Sequence, residues 1–315
     1  MSIKLSLLDP GVVLTGYAAL LGAALGSFLN VCILRWGAEP KQSVVRPPSR
    51  CPRCGRGLSW YENIPVVSWL VLRGRCRICG EPISIQYPLV ELATALIWGY
   101  FAWRHGLSIE TARDAVFGTL LLGIAMTDAR EYIIPNEFTY GGMALALLLS
   151  IAGGPREVVD SLQGIIFGAG FLYLIGAVGS FVAGRDAMGG GDVAMMAMVG
   201  GFLGWQSVLA TIFGGACVGV VLHGVSLVLV RQRHPLPAAT VEPAAASVAG
   251  AAASATVPAP TPATDPEFKT KEELHAEGYL PFGVSLAIAA VLIVLLDARG
   301  PIVAWFATYA DSLGL

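Results

Sequence analysis

Charge is the scarcest component of these 315 residues: Asp, Glu, Lys and Arg make up 13%, against roughly 25% in a water-exposed domain. A chain that is also 55% hydrophobic, with a mean hydropathy of +0.67, cannot cover itself in water. The formal net charge of −2 excludes a polyanion-wrapping basic protein, so nucleic acid is not an expected partner. Cysteine is sparse too, and six residues are too few for a disulfide scaffold. The 38 glycines follow no three-residue period, which excludes collagen, and no internal repeat is present. What the chain has in abundance is long apolar runs, which leaves a protein that crosses a membrane several times.

About 20 apolar residues cross a hydrocarbon core of about 30 Å. Runs of that character lie near 12–34, 88–104, 113–128, 138–152, 161–182, 190–203, 205–230 and 281–298. They predict an all-α polytopic protein of about eight transmembrane segments. The first run has neither a strongly basic start nor a small-residue cleavage site, so it is expected to stay as an anchor. Between the first two runs lie Arg35, Lys41, Arg46, Arg50, Arg53, Arg56, Arg73, Arg75 and Arg77, against only Glu39, Glu62 and Glu81. That excess puts the loop in the cytoplasm and the amino terminus outside. The stretches near 128–137, 183–192 and 231–278 then also face the cytoplasm, and those near 105–112 and 153–160 face outward. The expected organisation is a first transmembrane segment (1–34), a cytoplasmic loop domain (35–87), a transmembrane core (88–230), a flexible Ala/Pro-rich linker (231–278) and a C-terminal transmembrane segment (279–315). From Pro235 to Pro266 that linker is nearly all Ala, Pro, Thr, Ser and Val, a composition that cannot order itself by burial.

Four of the six cysteines form two pairs, CPRCG at 51–55 and CRICG at 76–80, with 21 residues between Cys54 and Cys76. Two-residue spacing lets both thiolates of a pair face one tetrahedral ion, and this separation is close to that of a zinc ribbon. Cys51, Cys54, Cys76 and Cys79 are therefore expected to hold a structural zinc. The metal would supply folding energy to a loop of about fifty residues, too small for a core of its own. Disulfides are disfavoured on the reducing cytoplasmic side. Cys32 and Cys217, alone in apolar runs, are expected to be small buried hydrophobes. The arginines of the loop fit the positive-inside rule and an anionic lipid surface.

Carboxylates in or beside a span need a reason. Asp128 ends the third run in TDAREYIIPNEFT, and Asp192 opens the sixth in AMGGGDVAMM. In this topology both lie at the cytoplasmic end, and two oppositely directed helices can bring them together. Facing aspartates that share one proton could act as general base on water and as acid toward a peptide carbonyl. Gly189, Gly190 and Gly191 would keep the adjoining backbone bare for an extended peptide. The residues also allow a plainer interpretation, with Asp128 paired to Arg130 and Asp192 an exposed helix cap. Glu91, inside the second run, suits either a hydrogen bond between helices or a polar cofactor pocket, and Glu131 and Glu137 are expected at the interface.

These motifs, together with GSFLNVCILR at 26–35, RPPSRCPRCGRGLSWYENIPVVSWLVLRGRCRICGEPISIQYPLVE at 46–91, GGGDVAMMAMVGGFLGW at 189–205 and LPFGVSLAIAA at 280–290, resemble the prepilin peptidases, or type IV leader peptidases. These are GxGD-type membrane aspartyl proteases and N-methyltransferases of type IV pilus and type II secretion systems. The resemblance covers almost the whole chain outside the Ala/Pro stretch. It implies that Asp128 and Asp192 are the catalytic pair. It further implies an inner-membrane enzyme that cleaves prepilin and pseudopilin leaders after glycine at the cytoplasmic face, then methylates the new amino terminus from S-adenosylmethionine. The four cysteines match the family's cytoplasmic zinc loop. One departure is Ala194, where the family pattern GxGDxK carries lysine. No glycine-rich strand-turn-helix marks a methyl-donor pocket, so Glu91 is only a candidate there. A peptidase without methyl transfer, or an ion or proton transporter with a zinc regulatory loop, are the alternatives.

Overall fold

A computed structural model describes residues 9–38, 40–186, 188–233 and 282–313. Helices account for nearly all of the described regular structure: α1 (Pro10–Trp36), a 3₁₀ turn (Trp60–Asn63), α2 (Val67–Val71), α3 (Gln86–His105), α4 (Ile109–Glu131), α5 (Asn136–Gly153), α6 (Pro155–Ala183), α7 (Gly190–Leu203), α8 (Trp205–Arg233), α9 (Phe282–Leu295) and α10 (Arg299–Leu313). The only β pairing among the described residues is two isolated bridges in the cysteine loop. The Ala/Pro-rich stretch lies outside the described residues from 234 onward. Residues up to Gly219 and those from Phe282 form one compact unit, and a second unit starts at Val220 within α8.

Each apolar run is a helix, with ends set by local chemistry. Asp9 caps α1, its carboxylate accepting the Gly11 N–H at 2.9 Å, and Pro10 fills the first helical position, where a missing N–H costs nothing. Ser108 caps α4 through the Thr111 N–H at 3.2 Å. α4 ends where Tyr132 takes a left-handed conformation, φ 55°, and Pro135 opens α5.

Helices α1, α6 and α8 (through Val225) are long and apolar enough to cross a membrane. α9 and α10 reach that standard as a pair, but with a 92° bend between them. The last run was expected as one continuous segment to 298. Instead Asp297 adopts φ 53°, and its carboxylate accepts from Arg104 at 2.9 Å while Arg299 donates to both oxygens of Asp114 at 2.9 and 2.8 Å. Those long-range partners hold the chain at the break.

Small residues let the helices approach closely, as expected where lipid supplies no hydrophobic drive between them. Gly22 and Gly26 of α1 pack on α3: a Cβ on Gly22 would lie 2.6 Å from the Thr94 carbonyl oxygen, and one on Gly26 would lie 2.8 Å from Cα of Glu91. Gly164 and Gly168 of α6 meet the α7 backbone at Gly200 and Met196 in the same way. α4 is central, packing against α1, α3, α5 and α9, while α7 packs against α5, α6 and α9. Along one stripe of α4, Asp114, Phe117, Leu121, Ile124 and Asp128 are all buried, so acids stand at the two ends of one inward face. α9, touching both α4 and α7, brings their ends into one neighbourhood.

Candidate active site and thiolate cluster

Asp128 is in the last turn of α4 and Asp192 in the first turn of α7. The Asp192 turn and Asp128 share a neighbourhood around Ile134 and Gly283. The N-terminus of α9 lies against Asp128. The Val284 N–H donates to Asp128 Oδ2 at 3.1 Å, and a Cβ on Gly283 would come within 2.5 Å of that same oxygen. Ile134, from the IPN turn after α4, contacts both Gly191 and Gly283, where added Cβ atoms would each lie 2.9 Å from its side chain. Oδ1 of Asp192 is buried with no hydrogen-bond partner among the described residues, an acceptor not committed to the fold.

The glycine triplet is not uniform. Gly190 faces open space, and Gly189 lies beside the Asp192 carboxylate, 3.5 Å from a would-be Cβ to Oδ2. Gly191 is occupied by Ile134. Arg130 does not pair with Asp128; it donates to the Gln86 side chain. Glu137 is bonded to Lys41 at 2.8 Å. Ala194, where the family's pattern has lysine, is buried. The α9 N-terminus was not singled out as part of the site from sequence, although LPFG at 280–283 was legible as a motif. A glycine and a valine announce no chemistry of their own; they act here through backbone.

Glu91 is 7% exposed, and its Oε2 accepts the Val66 N–H at 2.7 Å. It thereby ties the cysteine loop to α3.

In that loop the two CxxC pairs are the same turn made twice. Cys51 N–H donates to Arg56 O and Gly55 N–H to Cys51 O; Cys76 N–H donates to Glu81 O and Gly80 N–H to Cys76 O. Gly55 and Gly80 sit at φ 69° and 71°, where a side chain would be strained. Backbone N–H groups within each turn lower the Cys51 and Cys76 thiols, Cys76 to about 6. The four Sγ atoms lie within 4.8 Å of one another, and Cys51 Sγ to Cys79 Sγ is 3.7 Å. Thiolates about 2.3 Å from a tetrahedral zinc stand about 3.8 Å apart, so the cluster fits such an ion. Beside it Glu62 accepts from Arg56 at 2.7 Å and from the Ser59 N–H at 2.8 Å, which hold its carboxyl well below the usual range, at about 2.

Helices able to cross a membrane, two acids at helix ends that share Ile134 as a neighbour, and a four-thiol cluster in a basic loop define the class: a helical membrane protein with a thiolate-rich loop. Over residues 20–105 the chain matches the Bacterial Peptidase A24 N-terminal domain, and over residues 115–224 the Type IV leader peptidase family. It is 42% identical over 213 residues to a prepilin leader peptidase/N-methyltransferase of Myxococcus xanthus, a match covering 68% of this chain and 63% of that protein. With proteins of the same name, identity is 36% over 242 residues for Pseudomonas aeruginosa, covering 69% and 83% of the two chains, and 32% over 252 residues for Neisseria gonorrhoeae, covering 73% and 87%. No solved structure matches the chain. The chain belongs to the type IV leader peptidase family.

Proposed function

We propose that this chain is a bifunctional prepilin peptidase, cleaving the leaders of type IV prepilins and pseudopilins after glycine and methylating the amino terminus so formed. The observation that carries the peptidase reading is the neighbourhood of Ile134, which adjoins Gly191 of the Asp192 turn and the α9 N-terminus, with that N-terminus against Asp128. One carboxylate takes a proton from water as that water attacks the scissile carbonyl. The other gives a proton to the carbonyl oxygen. Collapse of the tetrahedral species returns a proton to the leaving amine, with no covalent intermediate.

In this reading α1 and α3 to α9 are eight crossings of the inner membrane, the cysteine loop is cytoplasmic, and the dyad lies at the cytoplasmic face. Cys51, Cys54, Cys76 and Cys79 hold zinc, which supplies folding energy to the loop and no chemistry to the cleaved bond. Methyl transfer from S-adenosylmethionine is carried by the family alone. The crevice lined by Ala210, Gly214, Val218, Ala289, Leu292, Ile293, Leu296 and Ala298 offers no polar side chain to a sulfonium or a ribose and does not fit that donor. Glu91 is engaged by the Val66 N–H.

A proton or ion transporter would need a polar path between acids. Asp114 and Asp128 share one face of α4, but Phe117, Leu121 and Ile124 fill it between them, which favours hydrolysis at one end.

The test is mass spectrometry of a prepilin incubated with detergent-purified enzyme, with and without S-adenosylmethionine. Native enzyme is expected to remove the leader and add one methyl group, and both Asp128→Asn and Asp192→Asn to leave the precursor intact. Normal cleavage by either variant removes the dyad assignment, and cleavage without methylation reduces the enzyme to a peptidase.

A further inference from the structure

The segment between the two cysteine turns has an unpartnered face. Ile64, Val67, Leu70 and Val71 recur at helical spacing and are 40%, 53%, 61% and 75% exposed. The turn is nonetheless well anchored from its other side. Trp69 covers Gly74, where a Cβ would lie 2.8 Å from the indole, and its Nε1 donates to the Ile83 carbonyl at 3.1 Å. Val66 adopts φ 61°, a conformation that costs a β-branched residue dearly, and in it donates its N–H to Glu91.

That bond sets the depth of the turn. Cα of Glu91 packs on Gly26 of α1, a helix of 27 residues. At about 1.5 Å per residue α1 is about 40 Å long, longer than a hydrocarbon core of about 30 Å, so part of it projects beyond. Gly26 lies in the half of α1 nearer Trp36, the end from which the cysteine loop leaves. Glu91, like any helical side chain, points toward the start of its own helix, here the end from which the loop emerges. Val66 is therefore held close against the end of the bundle formed by α1 and α3.

The charges agree. Of the loop's described acids, Glu62 is taken by Arg56 and Glu81 by Arg53. Arg73 and Arg75, directly after the turn, are exposed and make no ion pair among the described residues.

We propose that residues 64–75 are a membrane-surface foot: Ile64, Val67, Leu70 and Val71 enter the headgroup–acyl boundary of an anionic bilayer, and Arg73 and Arg75 lie on its phosphates. The foot keeps the thiolate domain against the bundle end from which α1 and α3 emerge. The inference rests on the reading that α1 and α3 cross the membrane, and not on peptidase activity.

The test uses the full chain, zinc-loaded, in nanodiscs, with Cys217→Ala removing the exposed thiol outside the cluster and one nitroxide at Leu70→Cys or Val71→Cys. Metal content verifies that the cluster thiols stay occupied. In nanodiscs containing phosphatidylglycerol, both labels are expected to be relaxed more by oxygen than by an aqueous nickel chelate. Exchange to pure phosphatidylcholine, or the pair Arg73→Gln and Arg75→Gln, is expected to shift both labels toward the chelate. Labels open to the chelate in every bilayer overturn the foot. Labels buried equally in both bilayers overturn the part given to the arginines. Because depth is read from the label, a chain that fails to cleave prepilin still reports it, and the two failures stay distinct.

Discussion

Gly283 carries no functional group, yet its backbone lies against Oδ2 of Asp128, and a methyl group there would stand 2.5 Å from that oxygen. Gly283→Ala must move either α9 or the carboxylate. Because catalytic groups displaced by about 1 Å lose on the order of 10²-fold in rate, leader cleavage is expected to fall by about that factor while the chain still purifies folded. Mass spectrometry of prepilin over time reads the loss, and near-native cleavage would sink the positioning role. Glu62 makes a second residue-scale case, well away from the dyad. Its folded value of about 2 is below the ordinary 4.5, so its contribution to the loop is present in full above about pH 4.5 and drains away as pH falls toward 2. Glu62→Gln forfeits it at neutral pH. Amide exchange at Ser59 should be faster in the variant at pH 7, with the gap to the native chain closing below pH 4.5.

Among the elements, the contact of α6 with α7 shows how glycine places chemistry. Gly164 and Gly200 face one another backbone to backbone, and α7 is the helix that begins with Asp192. Gly164→Leu forces the two apart. Overpacking of this kind costs about 1–3 kcal/mol, so the melting temperature in detergent should drop and leader cleavage with it. Gly170, on the same helix with open space around it, should accept alanine without change in either measurement. Equal effects at both positions would mean that helix propensity, not close approach, is at stake. The helices themselves were legible in the sequence, because apolar runs, caps and prolines are local signals; α3 and α4 differ from the expected limits only by a few residues at their ends. The bend between α9 and α10 was not, since DARGP at 297–301 reads as a helix end whichever way the next helix turns.

At the scale of the whole molecule, α4 joins two polar ends through an apolar middle. One end is Asp128, bonded by the Val284 N–H. The other is Asp114, 2% exposed, held by Arg299 from beyond the bend, with His105 at 3.7 Å. Arg299→Ala strips a buried carboxylate of the guanidinium that donates to both its oxygens. With the arginine side chain 26% exposed, solvent already screens the pair, so the loss is expected near the low end of such cases, about 2 kcal/mol. The double change Arg299→Ala with Asp114→Asn should recover most of it. Thermal unfolding in detergent measures both, and a double variant no better than the single one would mean that Arg299 acts by packing instead.

Sequence by itself determined the membrane class, the positions of the helices and the composition of the thiolate cluster, because apolar length, capping residues and CxxC spacing act over a few residues. It also named Asp128 and Asp192, as acids whose placement beside apolar runs demanded a reason. Only the tertiary structure decided what meets them. The Val284 N–H that reaches Asp128 is 156 residues away along the chain, and Arg299 is 185 from Asp114. No local rule links residues so far apart. Their meeting depends on which helices pack, and that is set by glycine contacts and side-chain shape across the whole bundle.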